Sequence, residues 1–531
     1  MKLTINAVAN RTFFIEVPYE AKDKFKDTVD SCKWDKKNKW WEVPGSMDNL
    51  MKLASNFEVD YSSINSYVKI LSAEQDKVKY INKIRNDPSW RLNGEYEYLY
   101  RHQCVALEAA RSFNQYALFL DTGTGKTLTS IEIIKHYKKR TLVVCPLTII
   151  EDAWLSDIKK FAPQLVAVNL WASNKEKRLQ KLKIPSHICI INFEGLKILE
   201  KELMKQNFGV IIVDESSKMK DPNSQITKCL LRFAKHIPNR YILSGAPASN
   251  SPLEYWAQMN FIDLTILGSN FYRYRNQFFT SDYMGYNWFI SNENRKKIME
   301  RIKRKAIFFS KDECLDLPEK IFQVRKIQMS DDQKAAYENM KNDLVIELRD
   351  TIISASNQVA KIMKLRQVTS GFVYNGGKPI KIADTKFKEL INVLDEIGNH
   401  QVIIWVNFHF EGHALMDNFK DRACALWGNI KDDVRRDSIE GFKCGKYQYL
   451  IANPASAAHG LTFVNCQYAV YFSLSYSAEL WKQSQDRIHR IGQTKNATYI
   501  YLLCEKSIDE KIYEALQNKR KISEECLGWL K

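Results

Sequence analysis

No C-x-x-C pair occurs among the 11 cysteines, and no histidine cluster accompanies them. Neither a disulfide framework nor a zinc site is therefore expected, and free thiols fit a reducing compartment: the cytoplasm, or the nucleus in a eukaryotic cell. No apolar run approaches the ~18 residues that a membrane helix needs, as the short stretch GVIIV at 209–213 illustrates. The N-terminal MKLTINAVANRTFF lacks the continuous apolar core of a secretory leader. There are only 13 prolines, no low-complexity tract and no solenoid period, while 45% of residues are hydrophobic and 12% aromatic. Such a composition excludes a disordered or fibrous chain. What is present is length and positive charge. The 531 residues suffice for about three or four domains. Lys and Arg number 79 against 62 Asp and Glu, a net charge of +17. That excess points to an acidic polymer as partner, most simply nucleic acid, with a merely basic surface as the plainer alternative.

The first 80 residues read as a small α+β module. RTFFIEVPY (11–19) alternates with Phe13, Ile15 and Val17 on one face, a polar helical stretch follows, and WDKKNKWWEVP (34–44) has the pattern of a hairpin. A charged segment, residues 81–96, is expected to link this module to the rest. From 97 to 316 apolar strands alternate with helical stretches: YALFL (116–120), TLVVCP (141–146), ICIIN (188–192), GVIIVDE (209–215) and YILSG (241–245). A second series in 317–531 comprises QVIIWVNF (401–408), YQYLIAN (447–453), YAVYFSL (468–474) and TYIYLL (498–503), with a long helix expected over 331–366. Short buried strands between helices predict an α/β fold with two parallel sheets.

The sequence FLDTGTGKTLTSIEII (119–134) sets glycines between a strand and a helix. Thr122, Gly123, Thr124 and Gly125 can wrap phosphates with backbone N–H groups, Lys126 can reach the β- and γ-phosphates, and Thr127 can offer its hydroxyl to Mg²⁺. The position five before the second glycine of the full P-loop pattern is Leu120, so the match is the shorter G-x-G-K-T form. GVIIVDESSKMK ends an apolar strand in Asp214 and Glu215. At that sheet edge Asp214 would hold Mg²⁺ through water and Glu215 would activate the attacking water. In QSQDRIHRIGQTK (483–495), Arg487 and Arg490 are three apart, so one helical turn would place them on one face to stabilise a transferring phosphoryl group.

Together these segments resemble the Snf2 family of superfamily 2 ATPases, DNA-dependent motors with two RecA-like lobes. The motifs run in order: YRHQCVALEAA (100–110), with Gln103 in the adenine-contacting place; DTGTGKT; VVCPLTIIEDAW (143–154); DESS (214–217); LSGAPASNSPLEYWAQMNFI (243–262); the basic RIKRKAIFFSKDECLDLPEK (301–320); GNIKDDVRRDSIEGFK (428–443); ANPASAAHGLTF (452–463); and DRIHRIGQ (486–493). ATP and Mg²⁺ as cofactors follow from the resemblance, with Glu215, Arg487, Arg490 and Lys126 in catalysis. The sequence departs from the family pattern at Ser217, which replaces a histidine, at Ser244-Gly245-Ala246-Pro247 in place of T-G-T-P, and at Ala457-Ala458-His459-Gly460. HGLTF, RQVTSGF (366–372) and DESS look most like the annealing-helicase branch and its phage-type relatives, and the N-terminal module is similar to the HARP domain through Asp35 and Trp40.

The expected partner is double-stranded or branched DNA, gripped mainly through phosphates. NRKKIMERIKRK (294–305) is a candidate gripping helix, with Ile298 and Ile302 inward and cations around them. Trp40 and Trp41 beside Lys36, Lys37 and Lys39 are candidates for base stacking. The implied function is an ATP-driven double-stranded DNA translocase that remodels branched DNA or anneals strands. An RNA or strand-separating helicase, a protein-displacing motor and a non-catalytic scaffold are the alternatives.

Overall fold

The computed structural model describes residues 1–518 except 10, 249–250, 284–286, 316, 351–354, 376–377, 429, 458–460 and 476. Ala458, His459 and Gly460 of the expected ANPASAAHGLTF motif lie outside the described residues. The chain divides into two compact units, Met1–Cys314 and Leu315–Lys531.

In the first unit, β1 (Lys2–Ala9), β2 (Thr12–Glu16), β3 (Lys33–Asp35), β4 (Trp40–Pro44) and β5 (Glu58–Asp60) form a sheet in the order β3-β4-β2-β1-β5. The alternation of β2 buries Phe13 and Ile15 with Val43 of β4 and Phe25 of the helix Lys22–Thr28. The hairpin between β3 and β4 closes on Asp35, whose Oδ1 accepts the N–H of Lys37 at 2.8 Å. The tryptophan expectation changes here. Trp41 is buried in the module's core and Trp40 packs on Phe14 at 5.0 Å, because the pleat turns both toward neighbouring rings. The exposed indole is Trp34. Residues 81–86 of the expected linker complete a 22-residue helix, Asn65–Asn86, that buries Ile81 and Ile84.

The large sheet of this unit contains β6 (Gln115–Leu120), β7 (Thr141–Cys145), β8 (Ala167–Asn169), β9 (Ile188–Asn192), β10 (Val210–Asp214), β11 (Asn239–Leu243) and, after a small hairpin of β12 (Phe279–Ser281) and β13 (Trp288–Ile290), β14 (Ala306–Phe309). Its order is β14-β6-β11-β10-β7-β9-β8, every pairing parallel. The five anticipated strands form it together with β8 and β14. Their residues are buried on both faces, which is why they read as continuous apolar runs.

The second unit carries a six-stranded parallel sheet in the order β15-β22-β21-β18-β20-β19. These strands are β15 (Lys320–Ile327), β18 (Val402–Trp405), β19 (Ala423–Leu426), β20 (Tyr449–Ala452), β21 (Tyr468–Tyr471) and β22 (Ala497–Cys504), with a separate hairpin of β16 (Phe372–Asn375) and β17 (Lys378–Lys381). The segment expected as a long helix over 331–366 is helical over Asp331–Asp350 and Ala355–Thr369, and residues 351–354 lie outside the described residues. The α/β class with two parallel sheets is thus as the sequence implied.

The basic segment 294–305 differs from its expected role. Its helix, Asn292–Ile302, buries Ile298 and Ile302, but three of its cations face acidic residues of the first 86 residues. Arg301 pairs with Asp30 at 2.9 Å, Arg304 with Asp48 at 2.5 Å, and Lys305 with Glu74 at 3.0 Å. Arg11 joins Glu74 to Asp263, whose side chain is 1% exposed. Burial opposes ionisation of Asp263, Glu74 and Asp30, yet Arg11, Lys305 and Arg301 hold all three carboxyls below their ordinary ranges. The cations a phosphate would need are therefore neutralised internally at these positions. Arg295, Lys296 and Lys303 stay exposed. Depressed carboxyl pKa values contribute stability above the ordinary carboxylate range, and this is lost as pH falls through the lowered values. Glu74→Gln leaves Lys305 and Arg11 short of a partner and should cost about 3 kcal/mol in a denaturant melt at neutral pH. The deficit relative to wild type should shrink on acidification below about pH 4.

Candidate active site

Strand β6 ends at Leu120 and the helix Lys126–Tyr137 begins after the loop 121–125, at the carboxyl edge of the sheet where open α/β folds bind ligands. Gly125 has φ +83°, and a Cβ there would stand 2.0 Å from Gln103 Nε2, so the turn requires glycine. Thr124 is buried and its hydroxyl donates to Asp121 O at 2.7 Å. The Lys126 ammonium donates to the carbonyls of Leu120 at 3.0 Å and Asp121 at 3.3 Å, which curls it over the loop. Thr127 is half-buried on the helix's first turn, and Gly123 is in the left-handed region.

Gln103, expected against adenine, is 1% exposed. Its Nε2 donates to Thr124 O at 3.0 Å and its Oε1 accepts the Tyr100 N–H at 2.9 Å. The amide thus ties the loop 121–125 to the start of its own helix, Arg101–Ser112. His102, which the sequence reading passed over, adds a second bond, Nε2–H to Thr124 O at 2.8 Å. Burial lowers its pKa, which favours the neutral ring.

Asp214 ends β10, almost fully buried. Its Oδ1 accepts the Glu215 N–H at 3.0 Å and its Oδ2 accepts the Trp154 indole N–H at 3.0 Å. Burial pushes its pKa up to about 6; the Lys126 charge opposes this and the Glu215 charge adds to it. Trp154 is fully buried on a π-helical turn, Ile150–Leu155, a conformation that recurs at functional sites. The sequence placed Trp154 at the end of a motif but offered no role for it, since a buried tryptophan reads as core. Glu215 takes φ +63°, left-handed for a non-glycine residue, and is half-buried. The Ser217 hydroxyl donates to Glu215 Oε1 at 3.1 Å. Among the described residues no group of three or more His, Cys, Asp or Glu could hold a metal. One buried carboxylate, Asp214, under the charge of Lys126 fits Mg²⁺, which takes few protein ligands and completes its shell with water and phosphate oxygens.

In the second unit the helix Ala478–Gln485 stops before the two arginines. Arg487 is 1% exposed, donating from Nε to Gln483 O at 3.1 Å and from Nη1 to Leu461 O at 2.8 Å. Arg490 is half-buried and donates to Thr462 Oγ1 at 2.8 Å. They do not share a helical face: the carbonyl of Arg487 accepts the Phe463 N–H at 2.9 Å, a tertiary bond that takes the chain out of the helix.

The raised Asp214 pKa stabilises the fold fully below the ordinary aspartate value, and this contribution is lost as pH rises through about 6. Asp214→Asn should therefore gain on the order of 3 kcal/mol in an unfolding titration at pH 7.5. Trp154→Phe removes a donor to the ionised carboxylate and should move the acidic limb of Mg²⁺-dependent nucleotide binding upward by about one pH unit.

Residues 74–371 match the SNF2-related domain and residues 385–492 the helicase conserved C-terminal domain. An uncharacterised ATP-dependent helicase of Mycoplasma genitalium is 23% identical over 89% of this chain and 46% of its own length. A putative protein of Acyrthosiphon pisum secondary endosymbiont phage 1 is 25% identical over 77% of this chain and 93% of its own. The ATP-dependent DNA helicase DDM1 of Arabidopsis thaliana is 25% identical over 76% and 58% respectively. The chain spans about half the length of the Mycoplasma and Arabidopsis relatives. With the SNF2-related match alone covering more than half of its residues, the chain belongs to the SNF2-related family.

Proposed function

We propose that this protein hydrolyses ATP at the carboxyl edge of its first parallel sheet and uses the energy to move along double-stranded DNA, remodelling branched DNA or annealing strands. The observation that carries the reading is the constellation of Lys126, Asp214 and Glu215, with Asp214 buried under the charges of the other two and Glu215 on a left-handed backbone. Lys126 and the loop amides of 122–125 bind the phosphates, with Gln103 and His102 bracing that loop. Thr127 and Asp214 would hold Mg²⁺, which supplies charge neutralisation to the phosphates when bound. Glu215 orients and deprotonates water, with Ser217 fixing one carboxylate oxygen. In the second unit Arg487 and Arg490 are the further catalytic candidates, held by the Leu461 carbonyl and the Thr462 hydroxyl respectively.

Duplex DNA as the track is supported by the +17 charge, by exposed Arg295, Lys296 and Lys303, and by the naming of the Arabidopsis relative as a DNA helicase. Among the described residues no helix is long and apolar enough to cross a membrane. The test is an ATPase titration with forked duplex, blunt duplex, single-stranded DNA and RNA. Duplex or forked DNA should raise the rate about tenfold or more, and the half-saturating DNA concentration should climb steeply with salt. Equal rates with and without duplex would refute the DNA-driven reading; preferential stimulation by RNA would favour an RNA helicase instead. Lys126→Ala should lower kcat/KM for ATP by about 100-fold or more without altering the thermal melt.

A further inference from the structure

The turn that carries Glu215 is fastened by Gln258, a side chain to which the sequence pattern of residues 243–262 assigned no role. Ser216 is fully buried, and its hydroxyl donates to Gln258 Oε1 at 2.7 Å. Gln258 is fully buried on the helix Tyr255–Ile262, and its Nε2 donates to Pro247 O at 2.5 Å and Glu254 O at 3.0 Å. Pro247 belongs to the loop that follows β11. Gly245 of that loop lies against the phosphate loop so closely that a Cβ would stand 2.9 Å from Thr122 Oγ1 and 3.1 Å from Thr122 N. One amide therefore joins the turn bearing the water-activating carboxylate to a loop that presses on the phosphate-binding turn.

We infer that Gln258 is a positioning residue for hydrolysis: through Ser216 it holds the left-handed turn at Glu215 in register with the Ser244–Pro247 loop and hence with the phosphates. This rests on the reading of Glu215 as the group that activates water. A left-handed glutamate is backbone under strain and relaxes unless its neighbours over-determine it. The next residue, Ser216, ties the turn through its side chain to a helix distant in sequence. Gln258 can do this because a buried primary amide both accepts and donates, whereas an apolar residue of similar size would leave the Ser216 hydroxyl and the Pro247 carbonyl unpaired. No bond from Gln258 reaches the phosphate loop directly, so nucleotide affinity should change little. The burden falls on the chemical step.

The experiment uses the full-length chain and compares Gln258→Leu, Ser216→Ala, the double variant and Lys126→Ala. Each is measured for kcat and KM under DNA saturation, for affinity towards a fluorescent ATP analogue, and for thermal unfolding. Gln258→Leu should lower kcat about tenfold with KM and analogue affinity within about twofold. The double variant, which removes both partners of the Ser216–Gln258 bond, should recover part of the lost stability but not the lost kcat. Wild-type kcat in Gln258→Leu, beside an inactive Lys126→Ala, would overturn the inference and leave the site assignment standing. Recovery of kcat together with stability in the double variant would also overturn it, since the glutamine would then act only on folding. Full hydrolysis by Lys126→Ala would instead refute the underlying site.

Discussion

A carboxylate buried at the end of an apolar strand is the constraint around which the first unit is organised. Val210–Val213 are covered on both faces of the sheet, so the chain emerges from β10 with Asp214 still out of water. Ionising such a group is unfavourable unless donors and a cation are fixed nearby. The structure supplies the Trp154 indole, the Glu215 amide and the charge of Lys126. Meeting those demands dictates the π-turn that delivers Trp154, the curl of Lys126 over its loop and the reversal at Glu215. The same arrangement makes the site costly to stability.

Charge elsewhere in the first unit is spent differently. Arg11, Arg301, Arg304 and Lys305 bind Glu74, Asp263, Asp30 and Asp48, so the N-terminal sheet and the helix Asn65–Asn86 are fastened to the large sheet by ion pairs. Lys305 directly precedes β14, and its carbonyl accepts the Ala117 N–H of β6 at 2.8 Å. The fastening thus continues into the strand that leads to the phosphate loop. Part of the basic excess is structural, while Arg295, Lys296 and Lys303 stay exposed. The N-terminal residues are accordingly a fixed part of this unit, and removing them would expose buried charges without partners.

Much of this was legible in the sequence because the chemistry-bearing residues follow the most apolar strands. YALFL, GVIIV and YILSG gave both the sheet and the points where Lys126, Asp214 and the Ser244–Pro247 loop emerge. Strands β8, β14, β15 and β19 were missed: β8 and β19 are short, and β14 and β15 are contiguous with charged residues that masked them. The bond of Gln103 to the Thr124 carbonyl was not legible because an amide's partner cannot be read from its position; here the glycine turn brings that carbonyl within its reach. Long-range pairing explains the other differences. Arg301, Arg304 and Lys305 look solvated on a helical pattern, and their acids lie more than 200 residues earlier in the chain. Arg487 and Arg490 have helical spacing, but tertiary bonds to 461–463 end the helix before them.

The central claim is that Glu215 activates water at a site whose phosphate and metal ligands are independent of it. The most direct measurement pairs calorimetric binding of Mg²⁺–ATP with single-turnover hydrolysis for wild type and Glu215→Gln. The account predicts that the variant binds nucleotide within about twofold of wild type while hydrolysis falls by about 100-fold or more. Wild-type single-turnover hydrolysis in Glu215→Gln would contradict it.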